Sequence, residues 1–229
     1  MTDDSICRPS PVLRQKHMRT KILSAADTES FGHAVRLLRA GKVIAFPTDT
    51  VYGVGASGFD ERAIEQLYVV KDRPRDKAIP YLLASAADLK LVARDIPPAA
   101  RQLAEKFWPG GLTLVVPAAP RVPKILIAGG DSIAVRVPNH PTTRALIDAV
   151  GAPLATTSAN LSGARDPSTA AQVLAQLNGR IPVILDAGAT RGNVPSTVVD
   201  VTTDPPRVMR VGVIAVEEIE AVLGRNVGK

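Results

Sequence analysis

The sequence predicts an α/β fold: a twisted sheet mixing parallel and antiparallel strands, with helices around it. Three observations carry this expectation. Short apolar runs alternate with segments whose apolar residues recur at helical spacing, as strand-helix-strand units require. Two further strand-like runs, Thr197–Val201 and Val208–Val211, follow one another without an intervening helix, which implies a hairpin-like antiparallel pair. No repeat, low-complexity tract or long interior linker divides the 229 residues, so one domain is the economical reading.

Residues 1–21 carry Arg8, Arg14, Lys16, Arg19 and Lys21 against Asp3 and Asp4, a net of +3, and read as a mobile basic tail before a domain of residues 22–229. Ser24–Ala40 suits an amphipathic helix capped by Asp27 or Thr28, with Phe31, Val35 and Leu38 inward and Gly41 ending it. Val43–Phe46 is a brief, partly β-branched run stopped by Pro47, hence a buried strand. Pro47–Gly53 reads as a polar loop at a strand end, where open α/β sheets collect ligands, with Gly53, Gly55 and Gly58 as sharp turning points. Asp60 caps a helix bearing Ile64, Leu67 and Tyr68 on one face, which runs out in Lys71-Asp72-Arg73-Pro74.

Ile79–Ala84 is again short and apolar, and Ser85 caps a small helix through Leu89 and Val92. Pro97-Pro98 opens a helix over Ala99–Phe107, stopped by Pro109-Gly110-Gly111. Strands follow at Leu112–Val116 and Ser132–Val137, a helix at Thr142–Val150 and a strand at Leu154–Thr157. A second polar loop, Ser158–Gly163, leads to a helix at Thr169–Leu177 and a strand at Val183–Leu185; Val216–Leu223 leaves room for one last helix.

Composition narrows the function. Aromatic residues make up 3% of the chain, too few for a series of base-stacking platforms. The net charge of +6 and pI near 9.7 favour anionic partners, although half of that charge lies in residues 1–21. Cys7 is the single cysteine, so an intrachain disulfide or a cysteine-based zinc site is excluded, and a reducing cytoplasm is expected. No run of about 18 apolar residues suggests a membrane span, and the leader lacks the apolar centre of a secretory signal.

The chain has no G-x-x-x-x-G-K-[ST], no G-x-G-x-x-G after a strand and no H-E-x-x-H. His17, His33 and His140 are scattered, which argues against a histidine-dependent mechanism. What remains is cations and hydroxyls at loop and strand ends. Lys71 and Arg73 alone could be a solvated helix end that complements the dipole; with Lys77 nearby they could surround a triphosphate. Arg136 interrupts an apolar strand, so it needs a partner or faces a cleft, where it could grip carboxylate or phosphate in a bidentate way. Ser158 and Asn160 could equally form a turn and helix cap, and Ser196 and Thr197 could be plain edge residues.

Taken together, FPTDTVYGVG, KDRP, FWPGGLTLVV, SIAVRVPNHP, TTSANLSG, PSTVVDV and MRVG resemble the YrdC-like family in order and spacing, from about Ser30 to Gly212. The paired signature K-x-R with S-x-N stands as Lys71, Arg73, Ser158 and Asn160. The resemblance implies a twisted mixed sheet with a concave basic cleft. It also implies synthesis of threonylcarbamoyl-adenylate from L-threonine, bicarbonate and ATP with release of pyrophosphate, serving an adenosine modification in tRNA. It implies threonine contacts from Thr50, Arg136, Thr156 and Ser196, and ATP contacts from Lys71, Arg73, Lys77, Ser132, Ser158, Asn160, Ser168 and Arg210, with Lys71, Arg73 and Arg136 as the catalytic cations. Tyr52 is expected to shape the cleft wall. Mg2+ is expected on the phosphates rather than on protein ligands, and transient contact with tRNA or the tRNA-modifying transferase complex is implied. Where longer members often have a histidine, this chain has Leu82 and Leu83, and it ends soon after Gly212, so the catalytic domain alone is expected. The rival readings are an RNA-binding or ribosome-associated protein without chemistry, and a paralogue with another acyl substrate.

Overall fold

The computed structural model describes residues 19–190 and 194–228. In chain order the elements are β1 (Lys21–Ser24), α1 (Thr28–Arg39), β2 (Ile44–Pro47), β3 (Tyr52–Ser57), α2 (Glu61–Lys71), β4 (Tyr81–Leu82), α3 (Leu89–Val92), α4 (Pro98–Phe107) and β5 (Leu112–Pro117). They continue as β6 (Ser132–Arg136), α5 (Pro141–Val150), β7 (Leu154–Ser158), α6 (Ala170–Leu177), β8 (Val183–Asp186), β9 (Thr197–Asp200), β10 (Arg207–Arg210) and α7 (Val216–Leu223).

The strands form one ten-stranded sheet, ordered β1-β8-β2-β3-β7-β4-β6-β5-β9-β10. Parallel pairs (β1 with β8, β5 with β9) sit among antiparallel ones (β2 with β3, β3 with β7, β5 with β6), so the sheet is mixed as expected. Because successive side chains of a strand point to opposite faces, β2 and β8 feed two cores. Ala45 and Ile184 join a large cluster with Ile64, Leu103 and Leu114, while Ile44, Phe46, Val183 and Leu185 join a smaller one with Leu38 and Leu146. The helices close these faces. Asp27 caps α1 by accepting from Ser30 N at 3.0 Å, and Asp60 caps α2 by accepting from Arg62 N and Ala63 N at 3.0 and 3.1 Å.

Three expectations need correction. The tail was expected to run through residue 21, but Lys21 pairs with Val183, and the hydroxyl of buried Thr20 donates to Ile181 O at 2.6 Å. β1 shows mostly exposed residues and therefore no apolar pattern; a partner about 160 positions away creates it. The rest of the expected tail, residues 1–18, lies outside the described residues. Secondly, Gly53 and Gly55 are strand residues of β3, not turning points. They permit close approach: a Cβ on Gly55 would lie 2.8 Å from Thr156 Oγ1 and 2.9 Å from Ala155 O. The polar loop thus shortens to residues 48–51, the tip of the β2–β3 hairpin. Thirdly, the apolar run Ile79–Ala84 supplies only the two-residue strand β4, which fills the space between β7 and β6.

Candidate active site

The site is laid out by sheet register. Arg210 of β10 stands opposite Val198 of β9, and Val198 stands opposite Thr113 of β5. One step along the β5–β6 ladder from the Leu114–Val135 pair, Thr113 neighbours Arg136, which in turn pairs with Leu82 of β4. Side chains aligned across a ladder share one face, so residues far apart in sequence form the row Arg210, Val198, Thr113, Arg136, Leu82. All five line a cavity of about 610 Å3, within the usual range for small-molecule sites. The hairpin tip (Thr48, Thr50, Val51), the end of β7 (Thr156, Thr157, Ser158) and Arg73, Arg165, Asp166 and Ser196 form other parts of its wall.

Arg136 is 7% exposed, and both alternatives open to a buried arginine are realised. It has partners and faces the cavity: Nη2 donates to Asp49 Oδ1 at 2.6 Å, Nη1 to Thr50 Oγ1 at 3.2 Å and Nε to Gly110 O at 2.9 Å. A guanidinium has five N–H donors, so two remain for a ligand. Thr50 is held by Thr48, whose hydroxyl donates to Val51 O at 2.6 Å and accepts from Thr50 N at 3.2 Å, folding the hairpin tip onto itself.

Lys71 lies behind the wall rather than in it. Its ammonium, 2% exposed, donates to Ser158 O and to Asn160 Oδ1, the latter at 3.0 Å. Ser158 Oγ donates to the same Asn160 oxygen at 2.6 Å, and Asn160 Nδ2 donates to Ala164 O at 2.6 Å. The two halves of the K-x-R and S-x-N signature are therefore one hydrogen-bonded unit, with Lys71 pinning the end of β7 that presents Ser158 and the loop after it. Burial pushes the Lys71 ammonium down to about 7; nearby Arg73 acts in the same direction, and Asp166 opposes it.

Arg73 lines the cavity while donating to Lys77 O at 3.1 Å and Ala78 O at 2.8 Å, which ties down the connection after α2. Burial holds its guanidinium below the ordinary value. Arg210 donates to Ser196 O from Nε (3.1 Å) and Nη2 (2.9 Å), and from Nη2 also to Ser196 Oγ at 3.1 Å. Its guanidinium is likewise lowered, chiefly by burial, with Asp166 opposing and Arg136 adding. Ser196 Oγ lies 2.8 Å from Thr113 Oγ1, and Thr156 Oγ1 donates to Leu154 O at 3.1 Å.

Of the residues singled out from the sequence, Thr50, Arg73, Arg136, Thr156, Ser158, Ser196 and Arg210 meet in the lining. Lys71, Lys77, Ser132, Asn160 and Ser168 lie outside it. The Lys77 side chain is exposed and its carbonyl receives Arg73; Ser132 opens β6; Ser168 donates from N and Oγ to Gln172 Oε1 at the start of α6. Tyr52 does not shape the cleft wall. Alternation along β3 turns it away from the face of Gly53, and its hydroxyl donates to Asp186 Oδ1 at 2.6 Å and lies 2.7 Å from Gly188 O. Leu82 takes a place in the lining, whereas Leu83 is fully buried in the large core.

Thr48, Asp49, Thr113, Arg165 and Asp166 were missed. Thr113 had a signal, a hydroxyl inside the apolar run Leu112–Val116. Asp49 had one too, as the nearest carboxylate in the hydroxyl loop for an arginine that needed a partner. Arg165 and Asp166 sit in an irregular loop, and only its closure over the cavity marks them.

Residues 36–212 match the model of the Sua5/YciO/YrdC family, described as "Telomere recombination". The chain is 44% identical over 191 residues to the threonylcarbamoyl-AMP synthase of Pyrococcus abyssi, covering 83% of this chain and 56% of that protein. It is 41% identical over 207 residues to the Bacillus subtilis enzyme of the same name, covering 90% and 59%. It thus spans somewhat over half the length of these curated relatives. The crystal structure of P. abyssi Sua5 complexed with L-threonine superposes with a TM-score of 0.88 at 40% identity, covering 92% of this chain and 63% of that one. Sequence match and shared architecture agree: the chain belongs to the Sua5/YciO/YrdC family.

Proposed function

We propose that this chain is a threonylcarbamoyl-AMP synthase, joining L-threonine, bicarbonate and ATP into threonylcarbamoyl-adenylate for the modification of an adenosine in tRNA. The observation that carries this reading is the division of the cavity. At one side stands a buried arginine fixed by Thr50, in a lining that also carries the hydroxyls of Thr156 and Ser196, a set suited to an amino acid with carboxylate and hydroxyl. At the other, Arg73, Arg165 and Arg210 stand on or beside loops with Ser158, a set suited to phosphates. The P. abyssi relative that binds L-threonine supports the first assignment.

In this reading the threonine amine attacks the carbon of bicarbonate, water leaves, and an oxygen of the resulting carbamate displaces pyrophosphate at the α-phosphorus of ATP. Positioning and charge neutralisation supply such catalysis without a protein nucleophile. Arg136 holds the amino-acid carboxylate; Arg73 and Arg210 face the phosphates; Lys71 acts through the loop it pins; Lys77, Ser132, Asn160 and Ser168 serve from outside the lining. Mg2+ would be carried by the nucleotide and would supply charge shielding of its phosphates rather than being held by protein ligands. Among the described residues no group of three or more His, Cys, Asp or Glu could hold a metal, and Asp166 is the carboxylate in the cavity lining. No helix among the described residues is long and apolar enough to cross a membrane, and the single cysteine fits work in the cytoplasm.

The test is pyrophosphate release by the purified protein with ATP, bicarbonate and Mg2+, with and without threonine. A threonine-dependent rate supports the proposal. Folded protein that releases no threonine-dependent pyrophosphate, but binds duplex RNA with steep salt dependence and no response to ATP, overturns it in favour of RNA binding.

A further inference from the structure

Thr113 occupies a position that its immediate surroundings leave chemically unfinished. It lies in the row between Arg136 and Arg210, lines the cavity, and is 7% exposed. Its hydroxyl has one protein partner among the described residues, Ser196 Oγ at 2.8 Å. Ser196 Oγ also receives Nη2 of Arg210 at 3.1 Å, and a guanidinium can only donate. The two hydroxyls own two protons, and the bond between them uses one. Either hydroxyl can donate in that bond; a donor made to accept from a cation gives its own proton more readily, which favours Ser196 as the donor. The Thr113 proton is then left without a protein acceptor, on a residue that borders the cavity.

The electrostatics point the same way. Arg136 stands on the neighbouring strand and Arg210 two strands away on the other side, and Arg136 helps to lower Arg210. An O–H donor beside one buried cation, with a second cation two strands away, favours a negatively charged oxygen. The lining beside it is otherwise apolar, with Val198 and Ala134, and offers no other polar contact there.

We propose that Thr113 is a substrate-binding residue: its hydroxyl donates to an oxygen of a carboxylate-type anion held by Arg136, while Arg210, beyond Val198, faces the phosphates. Two substrates of the proposed reaction carry such a group, threonine through its carboxylate and bicarbonate as a whole, and the inference rests on that reaction. Thr113→Val preserves shape and removes the donor, whereas Thr113→Ser keeps it. Initial rates of pyrophosphate release are to be measured against threonine at saturating bicarbonate, and against bicarbonate at saturating threonine. With Thr113→Val, the KM of one of the two is expected to rise at least about tenfold, the loss typical of a hydrogen bond to a charged group. KM for ATP is expected to stay within about twofold, and Thr113→Ser to restore most of the loss. A rise confined to threonine identifies its carboxylate as the anion; a rise confined to bicarbonate identifies the one-carbon substrate. Unchanged KM values for both substrates in Thr113→Val overturn the inference, as does an equal loss in Thr113→Ser. Absence of threonine-dependent activity in the unmodified protein instead overturns the proposed reaction, so the two failures are distinguishable. Should Thr113→Val fail to fold, Thr113→Ala, which also removes the donor, is measured in the same way, and unchanged KM values for both substrates overturn the inference.

Discussion

The two sides of the cavity are built by different means. The Arg136 side is carried on adjacent strands, and its guanidinium is buried and already engaged by Asp49, Thr50 and Gly110 before any ligand arrives. The Arg73 side depends on connections: Arg73 grips carbonyls of the segment after α2, Ser158 closes β7 where Lys71 pins it from behind, and Arg165 and Asp166 are exposed. The strand-borne side is preorganised and bound up with stability, while the loop-borne side is built from groups that are cheaper to change.

The comparison breaks first, if it is wrong, at Arg136. Arg136→Ala is expected to lower kcat/KM at least about a hundredfold and to destabilise the fold by about 3 kcal/mol, because Asp49 is left without its partner in a largely buried position. The double variant Asp49→Asn/Arg136→Met is expected to recover much of that stability in urea unfolding and none of the activity. Next in size is Gly55→Ala. Backbone and side-chain atoms within about 3 Å of the new methyl group leave it no space, and a loss of about 1–3 kcal/mol is expected in thermal unfolding.

On the loop-borne side, Arg73→Ala is expected to raise the KM for ATP about tenfold while unfolding stability changes by less than about 1 kcal/mol. Lys71 tests the supporting layer through pH. Its ammonium is lowered from 10.5 to about 7, so between those values the unfolded chain binds a proton that the folded chain does not. Stability contributed by this residue is therefore complete above pH 10.5 and lost as pH falls through 7. Urea unfolding of Lys71→Met at pH 7 and pH 10 is expected to show a smaller gain on going alkaline than the unmodified protein shows. The smallest effect is reserved for Arg75→Ala, which removes an ion pair with Glu65 at the surface and is expected to change stability by less than about 0.5 kcal/mol.

Local signals in the sequence identified the elements that are stable by their own pattern. The caps Asp27 and Asp60, the apolar faces of α1 and α2, and the strands β5, β6 and β7 were all readable because each carries its spacing within a dozen residues. β1 and β3 were not. β1 acquires burial only from a distant partner, and the glycines of β3 look like turn residues until Thr156 and Phe46 are seen pressing on them. The same division holds in the site. Arg136 was legible as a charge that needed a partner, whereas Thr113 needed the register of four strands to reveal what it stands between.

That register also sets how the chain can lengthen. Along a strand, every side chain changes face with each added residue. One amino acid inserted between Leu112 and Thr113 would turn the hydroxyl into the core and bring an aliphatic neighbour to the cavity. The same insertion within 118–124, between β5 and β6, leaves the row intact because the strands keep their own phase. Length variation in this architecture is thus permitted between strands and forbidden within them, and the boundary between the two regimes follows the ends of the ladder.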